Sequence, residues 1–301
     1  SRHARYTYTS TGVFTVTLFV SNNFGLGGAS SAQISKPAYI VIPEVEQDGS
    51  TMYVSQHGLH WAPFKNWREA ATNLNAACAT VPPNGLVIVS AGVYRLAAPL
   101  EIGTATVTSV SGPSATIIDG QYATRCVNLQ NRGVLDGFTV RHGRHATHGP
   151  GINAIANATV QNCVLLNNGT GTAVAGGGFY GANAGHVLSN CVFIGNRGSS
   201  GGGAYFSQGY LLENCVFISN TATSIGGGLF SYHGHVRNAL FAHNTAPQGG
   251  GLWIRSYLNS ANTAVVENCT ITRNTSTTPS GALYCYVAAR IYNTIAYGNI
   301  G

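Results

Sequence analysis

A short motif that returns through the second half of the chain restricts its fold more than any other feature. Val160-Gln161-Asn162-Cys163-Val164-Leu165-Leu166-Asn167-Asn168 aligns with Val187 to Asn196, Leu211 to Asn220, Val236 to Asn244, Val265 to Asn274 and Ile291 to Asn299. The column Cys163, Cys191, Cys215, Ala239, Cys269, Thr294 has spacings of 28, 24, 24, 30 and 25. A second motif interleaves with it: Gly176-Gly177-Gly178-Phe179-Tyr180, Gly201-Gly202-Gly203-Ala204-Tyr205, Gly226-Gly227-Gly228-Leu229-Phe230, Gly249-Gly250-Gly251-Leu252-Trp253 and the degenerate Ser280-Gly281-Ala282-Leu283-Tyr284.

Each period holds short β-type runs punctuated by Asn and Gly. A helical solenoid has no room for its helices there, and a propeller blade needs roughly twice the length. One turn of a right-handed parallel β-helix fits. Each coil adds a rung at about 4.8 Å, so like residues stack on like residues. The predicted class is all-β, with about eight or nine coils over residues 86–301. Asn162, Asn190, Asn214, Asn238, Asn268 and Asn293 are expected in a tight left-handed turn, with amides hydrogen-bonded from coil to coil. Cys163, Cys191, Cys215 and Cys269 read as a ladder of small apolar groups. Neighbouring coils bring their Cα atoms within disulfide range, so Cys163–Cys191 or Cys191–Cys215 bonds are an open alternative.

Composition agrees with many strands and tight turns. The 301 residues include 39 Gly, and only 8 % are charged, while a hydrophobic share of 44 % argues against disorder. The net charge of +6 comes from scattered Lys and Arg, with one cluster at Arg141-His142-Gly143-Arg144-His145. Nucleic-acid binding is not expected, because no basic stripe accompanies a nucleic-acid fold signature. Weak attraction to an acidic polysaccharide or an anionic surface suits this charge better. No run approaches the roughly 20 apolar residues of a membrane span.

Two segments precede the repeats. From Tyr6 to Asn22 apolar and hydroxyl residues alternate with period two, as in a half-buried strand. Residues 43–85 read as a linker and a capping helix. Asn66 with Glu69 makes a capping-box-like start, and Trp67, Ala71, Leu74 and Cys78 mark one helical face for covering an open β-helix end. The chain opens inside a strand-like run and stops inside a repeat, which reads as a mature product or part of something longer.

These residues carry two resemblances. The pattern Y-x-x-x-G-x-F-T-V-T-L-x-V-x-N over Tyr8 to Asn22 resembles the closing strands of a PKD-type immunoglobulin-like domain, so residues 1–42 are expected to be a partial, β-sandwich-like segment. Phe193 to Asn196, Phe217 to Asn220 and Phe241 to Asn244, followed by G-G-[AG]-[LIV]-like runs, resemble the repeats of chlamydial polymorphic membrane proteins and related bacterial β-helix surface proteins. Gly92-Val93-Tyr94, Ile117-Ile118-Asp119-Gly120 and Leu135-Asp136-Gly137-Phe138-Thr139 look like first coils of that group. The resemblance covers roughly residues 50–301. It implies an extracellular or cell-surface location and an adhesin-like structural role.

Side chains alternate along a strand, so Phe179, Ala204, Leu229, Leu252 and Leu283 are expected in the core. Tyr180, Tyr205, Phe230, Trp253 and Tyr284 then face solvent, joined two residues later by Tyr232, Arg255 and Tyr286. This aromatic stripe suits a polysaccharide or cell-surface glycan, a protein partner, or cover by a loop or the N-terminal strands. Unpaired strand edges at the two ends also suit head-to-tail self-association.

The competing reading is a polysaccharide lyase or glycoside hydrolase on the same scaffold. It would use Asp119 and Asp136, expected at equivalent turns of neighbouring coils about 5 Å apart, with Arg141 and His142. Asp-Gly turns explain both aspartates without chemistry, and nine acidic residues leave few other pairs. Glu213 and Glu267 fall in one column but in non-adjacent coils. No cofactor is expected and no metal, since the Cys spacing is the coil repeat. Asn157, Asn168, Asn268 and Asn274 stand in N-x-S/T contexts that reflect the repeat rather than glycosylation.

Overall fold

The computed structural model describes residues 12–22, 30–42, 49–170, 174–255, 264–286 and 289–301. The chain divides into two compact units, Ser1–Asp48 and Gly49–Gly301. In the first, β1 (Gly12–Asn22) pairs antiparallel with β2 (Ser30–Ile42), with a register shift between Phe14 and Val16. Residues 1–11 and 23–29 of the expected sandwich-like segment, and residues 43–48 of the expected linker, lie outside the described residues.

The second unit is a parallel β-solenoid of three long sheets, in the right-handed sense expected for parallel crossovers. Among the described residues, one sheet runs in ten strands from β3 (Thr51–Val54) to Ala289–Tyr292. A second runs in nine from Gly92–Arg95 to Ile295–Tyr297, and a third in eight from Leu100–Ile102 to Leu283–Cys285. Each strand pairs with its counterpart one coil away, as in Val192–Ile194 on Val216–Ile218. Four short strands starting at Arg197, Thr221, Thr245 and Thr275 form a further ladder on the later coils.

Alternation places every second strand residue inside. Leu135, Val160, Leu188, Leu212, Val236 and Val266 make one fully buried column. Val140, Leu165, Phe193, Phe217, Phe241 and Ile271 make another. In it Phe217 stacks on Phe193 at 4.3 Å and on Phe241 at 4.8 Å, with planes 2° and 11° apart. Parallel, in-register strands offset identical rings by one rung, which is the separation that offset stacking prefers.

The six asparagines expected at the tight turn all adopt positive φ, between 44° and 54°. Each makes the corner between the ten-stranded and nine-stranded sheets. Asn190 donates to Asn162 Oδ1 at 3.3 Å and Asn238 to Asn214 Oδ1 at 3.2 Å, on the exposed surface. Below them the cysteines are buried, and all seven in the chain are free thiols. The disulfide alternative is therefore corrected. Each column thiol turns to the carbonyl two residues before it in its own coil. Cys163 Sγ instead donates to Gln161 O at 3.1 Å and Cys191 Sγ to Ser189 O at 3.2 Å.

A second asparagine ladder holds the next corner. Asn168, Asn196, Asn220, Asn244 and Asn274 are buried. The Nδ2 of each donates to the Oδ1 of the next, out to Asn299, at 2.9 to 3.1 Å. The same Oδ1 accepts a backbone N–H, and the other Nδ2 hydrogen reaches a carbonyl of the previous coil. Donors and acceptors are matched throughout, which is what burial of an amide requires. Asn168 and Asn274 are thus interior supports, as the repeat-based reading of their N-x-S/T contexts implied.

The capping helix is shorter than expected. It spans α1 (Leu74–Thr80), with Asn73 as N-cap accepting from Ala76 N at 2.9 Å. Asn66 does accept from Glu69 N at 3.0 Å, but no helix follows. Residues 64–71 lie along the edge of β3 instead. Phe64 O and Ala71 O accept from Tyr53 N and Ser55 N, while Ala71 N donates to Tyr53 O. An unpaired strand edge competes for these backbone groups, and a helix over the same residues would leave them unsatisfied.

Candidate functional site: an aromatic column and a basic corner

The outer face of the eight-stranded sheet carries the expected aromatic residues in register: Tyr180 on Tyr205, Tyr205 on Phe230, Phe230 on Trp253 and Trp253 on Tyr284. Their rings stack at 5.1, 4.6, 4.9 and 5.7 Å, with planes 16° to 22° apart. His148, from the loop before Ile152–Ala154, extends the column at 4.4 Å from Tyr180. Beneath, Phe179, Ala204, Leu229 and Leu252 point into the core, while Leu283 is only half-buried in the last coil.

The expectation that all five rings face solvent needs correction. Phe230 and Trp253 are buried, at 4 % and 7 % exposure, and Tyr180, Tyr205 and Tyr284 are half-buried. At rung spacing each ring face lies against its neighbour, so the column presents ring edges and phenol oxygens. A sugar stacks on a ring face, and within the column those faces are already occupied. Beside the column, Arg255 lies between Tyr232, at 5.8 Å, and Tyr286, at 5.2 Å. Tyr286 is 58 % exposed and is the most open ring of this set.

The enzyme constellation is only partly assembled. Asp119 lies in the nine-stranded sheet, in register with Arg95 and Arg141. Asp136 lies in the ten-stranded sheet, in register with Thr108 and Gln161. The two aspartates are therefore not equivalent positions. The Asp-Gly dipeptides look alike in sequence, but they close different corners of the coil. Asp136 accepts from Gln161 Nε2 at 3.0 Å and Asn162 Nδ2 at 2.8 Å, which makes it the first rung of the exposed asparagine ladder.

Asp119, Arg141 and His142 do meet. Arg141 approaches Asp119 Oδ2 at 2.9 Å, His142 Nδ1 lies 3.2 Å from Oδ1, and Gln121 N donates to Oδ1 at 2.9 Å. Burial alone would raise this carboxyl, but the Gln121 amide and the two neighbouring side chains together hold it below its usual value. Tyr122 stacks on the His142 ring at 4.6 Å. Glu213 is paired with Arg237, and Glu267 lies 3.0 Å from His235, so Arg237 separates the two glutamates in their shared column.

One residue that the sequence did not single out organises this end. Arg125 is buried, and it donates to Gly149 O at 3.1 Å, Asn128 Oδ1 at 2.9 Å, His148 O at 2.7 Å and His145 Nδ1 at 2.9 Å. It thereby fixes the loop carrying both His145 and His148. Its repeat column has no second Arg, so no periodic signal marked it. Among the described residues, no three His, Cys, Asp or Glu gather as a metal site, and no helix is long and apolar enough to cross a membrane.

No family model and no curated protein matches this chain.

Proposed function

We propose that this chain is a surface or filament-type interaction scaffold, working outside the cell, whose solenoid presents the edge of the aromatic column to a protein or glycan partner. One observation carries the reading: the unbroken stack from His148 through Trp253 to Tyr284, flanked by Arg255 between Tyr232 and Tyr286. Ring edges, phenol oxygens and a guanidinium held between two rings form a flat, rigid, amphipathic strip of the kind partners dock on. The resemblance to chlamydial-type surface repeats supports the same reading. Its F-x-x-N residues supply the Phe193–Phe217–Phe241 stack and the buried amide ladder beside it.

A glycan array run beside a reducing-end activity screen tests the proposal. Binding without turnover, weakened by Arg255→Ala and Tyr286→Ala, is the expected result. Turnover of a polysaccharide that disappears in Asp119→Asn would replace it with the enzyme reading, which the Asp119–Arg141–His142 contact favours. Asp136→Asn should leave any such turnover in place, since Asp136 stands in another sheet.

A further inference from the structure

Residues from three successive coils border an open cleft of about 560 Å³ lined by Tyr122, Thr124, Arg144, His145 and Thr170. We propose that this cleft binds an anionic saccharide, one bearing a uronate carboxylate or a sulfate ester. The Arg144 guanidinium would take the oxyanion and the Tyr122 ring would carry the apolar face of a sugar. The site is separate from the aromatic column, so its failure would leave the column reading standing.

Charge points the same way. The carboxylates at this end already have partners: Asp119 holds Arg141, and Glu101 accepts from Asn128, which in turn accepts from Arg125. Arg95 adds a further cation in register with Asp119. Arg144 is exposed, and its side chain makes no hydrogen bond or ion pair among the described residues. Its backbone is nonetheless fixed, with the N–H donating to Thr124 O at 2.9 Å. A guanidinium on an anchored backbone, facing a cleft and without a counter-charge among the described residues, is matched by an oxyanion.

The remaining lining suits a sugar rather than a bare ion. Tyr122 is 43 % exposed and stacks one face on His142, which leaves the other for a ligand. Within the column, Tyr180, Tyr205, Phe230 and Trp253 each have a ring against both faces. His145 Nδ1 accepts from Arg125 Nη2 at 2.9 Å and from Thr147 N at 3.1 Å, so its proton resides on Nε2. Burial and the Arg125 charge both lower the basicity of this ring. Together with the Thr124 and Thr170 hydroxyls it supplies neutral groups for sugar hydroxyls, beside one fixed cation.

Calorimetric titration of the full chain with trigalacturonate, a heparin-derived tetrasaccharide, neutral maltotriose and inorganic sulfate tests this. At least one anionic oligosaccharide should bind, more weakly as salt rises. Which one binds identifies carboxylate or sulfate as the anion. Arg144→Ala and Tyr122→Ala should each weaken binding by about tenfold, whereas Arg290→Ala, a charge change at the far end, should leave it unchanged. The proposal is overturned if neither anionic oligosaccharide binds, if maltotriose or free sulfate binds as tightly, or if Arg290→Ala costs as much as Arg144→Ala.

Discussion

The Nδ2 of Asn196 donates to Asn220 Oδ1 at 3.0 Å, and the backbone N–H of Asn196 donates to the same oxygen at 3.0 Å. One side chain thus closes two hydrogen bonds of the coil beneath it and, through its own Nδ2, a third to Phe193 O at 2.9 Å. Removing it leaves several buried polar groups without partners. Asn220→Ala should cost roughly 2–4 kcal/mol in urea unfolding. Asn214→Ala, in the exposed ladder, should cost about 1 kcal/mol because alanine resists positive φ, and Asn214→Gly less than that. Equal losses at 214 and 220 would show that the buried ladder is not the stronger of the two.

Gly227 illustrates a glycine demanded by close approach. A Cβ there would lie 2.3 Å from Gly250 O and 2.6 Å from Thr245 O, both backbone atoms of the next coil. Gly227→Ala should lower the melting temperature sharply or prevent folding. Gly103→Ala, where a Cβ would meet nothing within 4 Å, should change it little. Thermal unfolding of the pair decides the point.

His186 lies fully buried against Phe179, at 5.7 Å, and Phe206, at 6.3 Å, and its Nδ1 accepts from Ala158 N. Burial pushes its pKa down to about 4, offset only in part by the Asn183 backbone. The fold therefore favours the neutral ring. This contribution is fully present above the ordinary histidine value of 6.5 and is lost progressively as pH falls from 6.5 toward 4, by up to about 3 kcal/mol. His186→Phe should flatten stability against pH across that window, whatever it does to stability at pH 8. Unfolding midpoints at half-unit steps would show an unchanged slope if His186 were not responsible.

Burial raises the thiols of Cys126 and Cys163 to about 12 and that of Cys191 well above its ordinary value. Thiolate is the reactive form, so native protein at pH 8 should resist iodoacetamide at these positions. After unfolding in guanidinium all should label. Intact mass without reductant should show seven free thiols, and a mass deficit of a hydrogen pair would contradict it.

Much of the fold is legible in the sequence because a solenoid turns period into position. The Asn-Cys and Gly-Gly-Gly motifs name their own corners, and Phe193, Phe217 and Phe241 name their own stack. Reading failed where residues do not repeat. Asp119 and Asp136 share a dipeptide with the following glycine but belong to different sheets. The Asn66 turn imitates a helix start, yet the segment after it was drawn to the edge of β3.

By itself the sequence determined which residues lie above one another, since a residue recurring once per coil can only form a line along the solenoid. Tertiary structure alone decided what each line offers. Stacking at rung distance turned the aromatic stripe edge-on and buried Phe230 and Trp253. A single non-repeating Arg125 drew His145 into place beside Arg144 and its cleft, and fixed the loop from which His148 reaches the aromatic column. Periodicity encodes neighbours along the axis, but the direction of a ring face and the meeting of loops from successive coils depend on packing in all three dimensions.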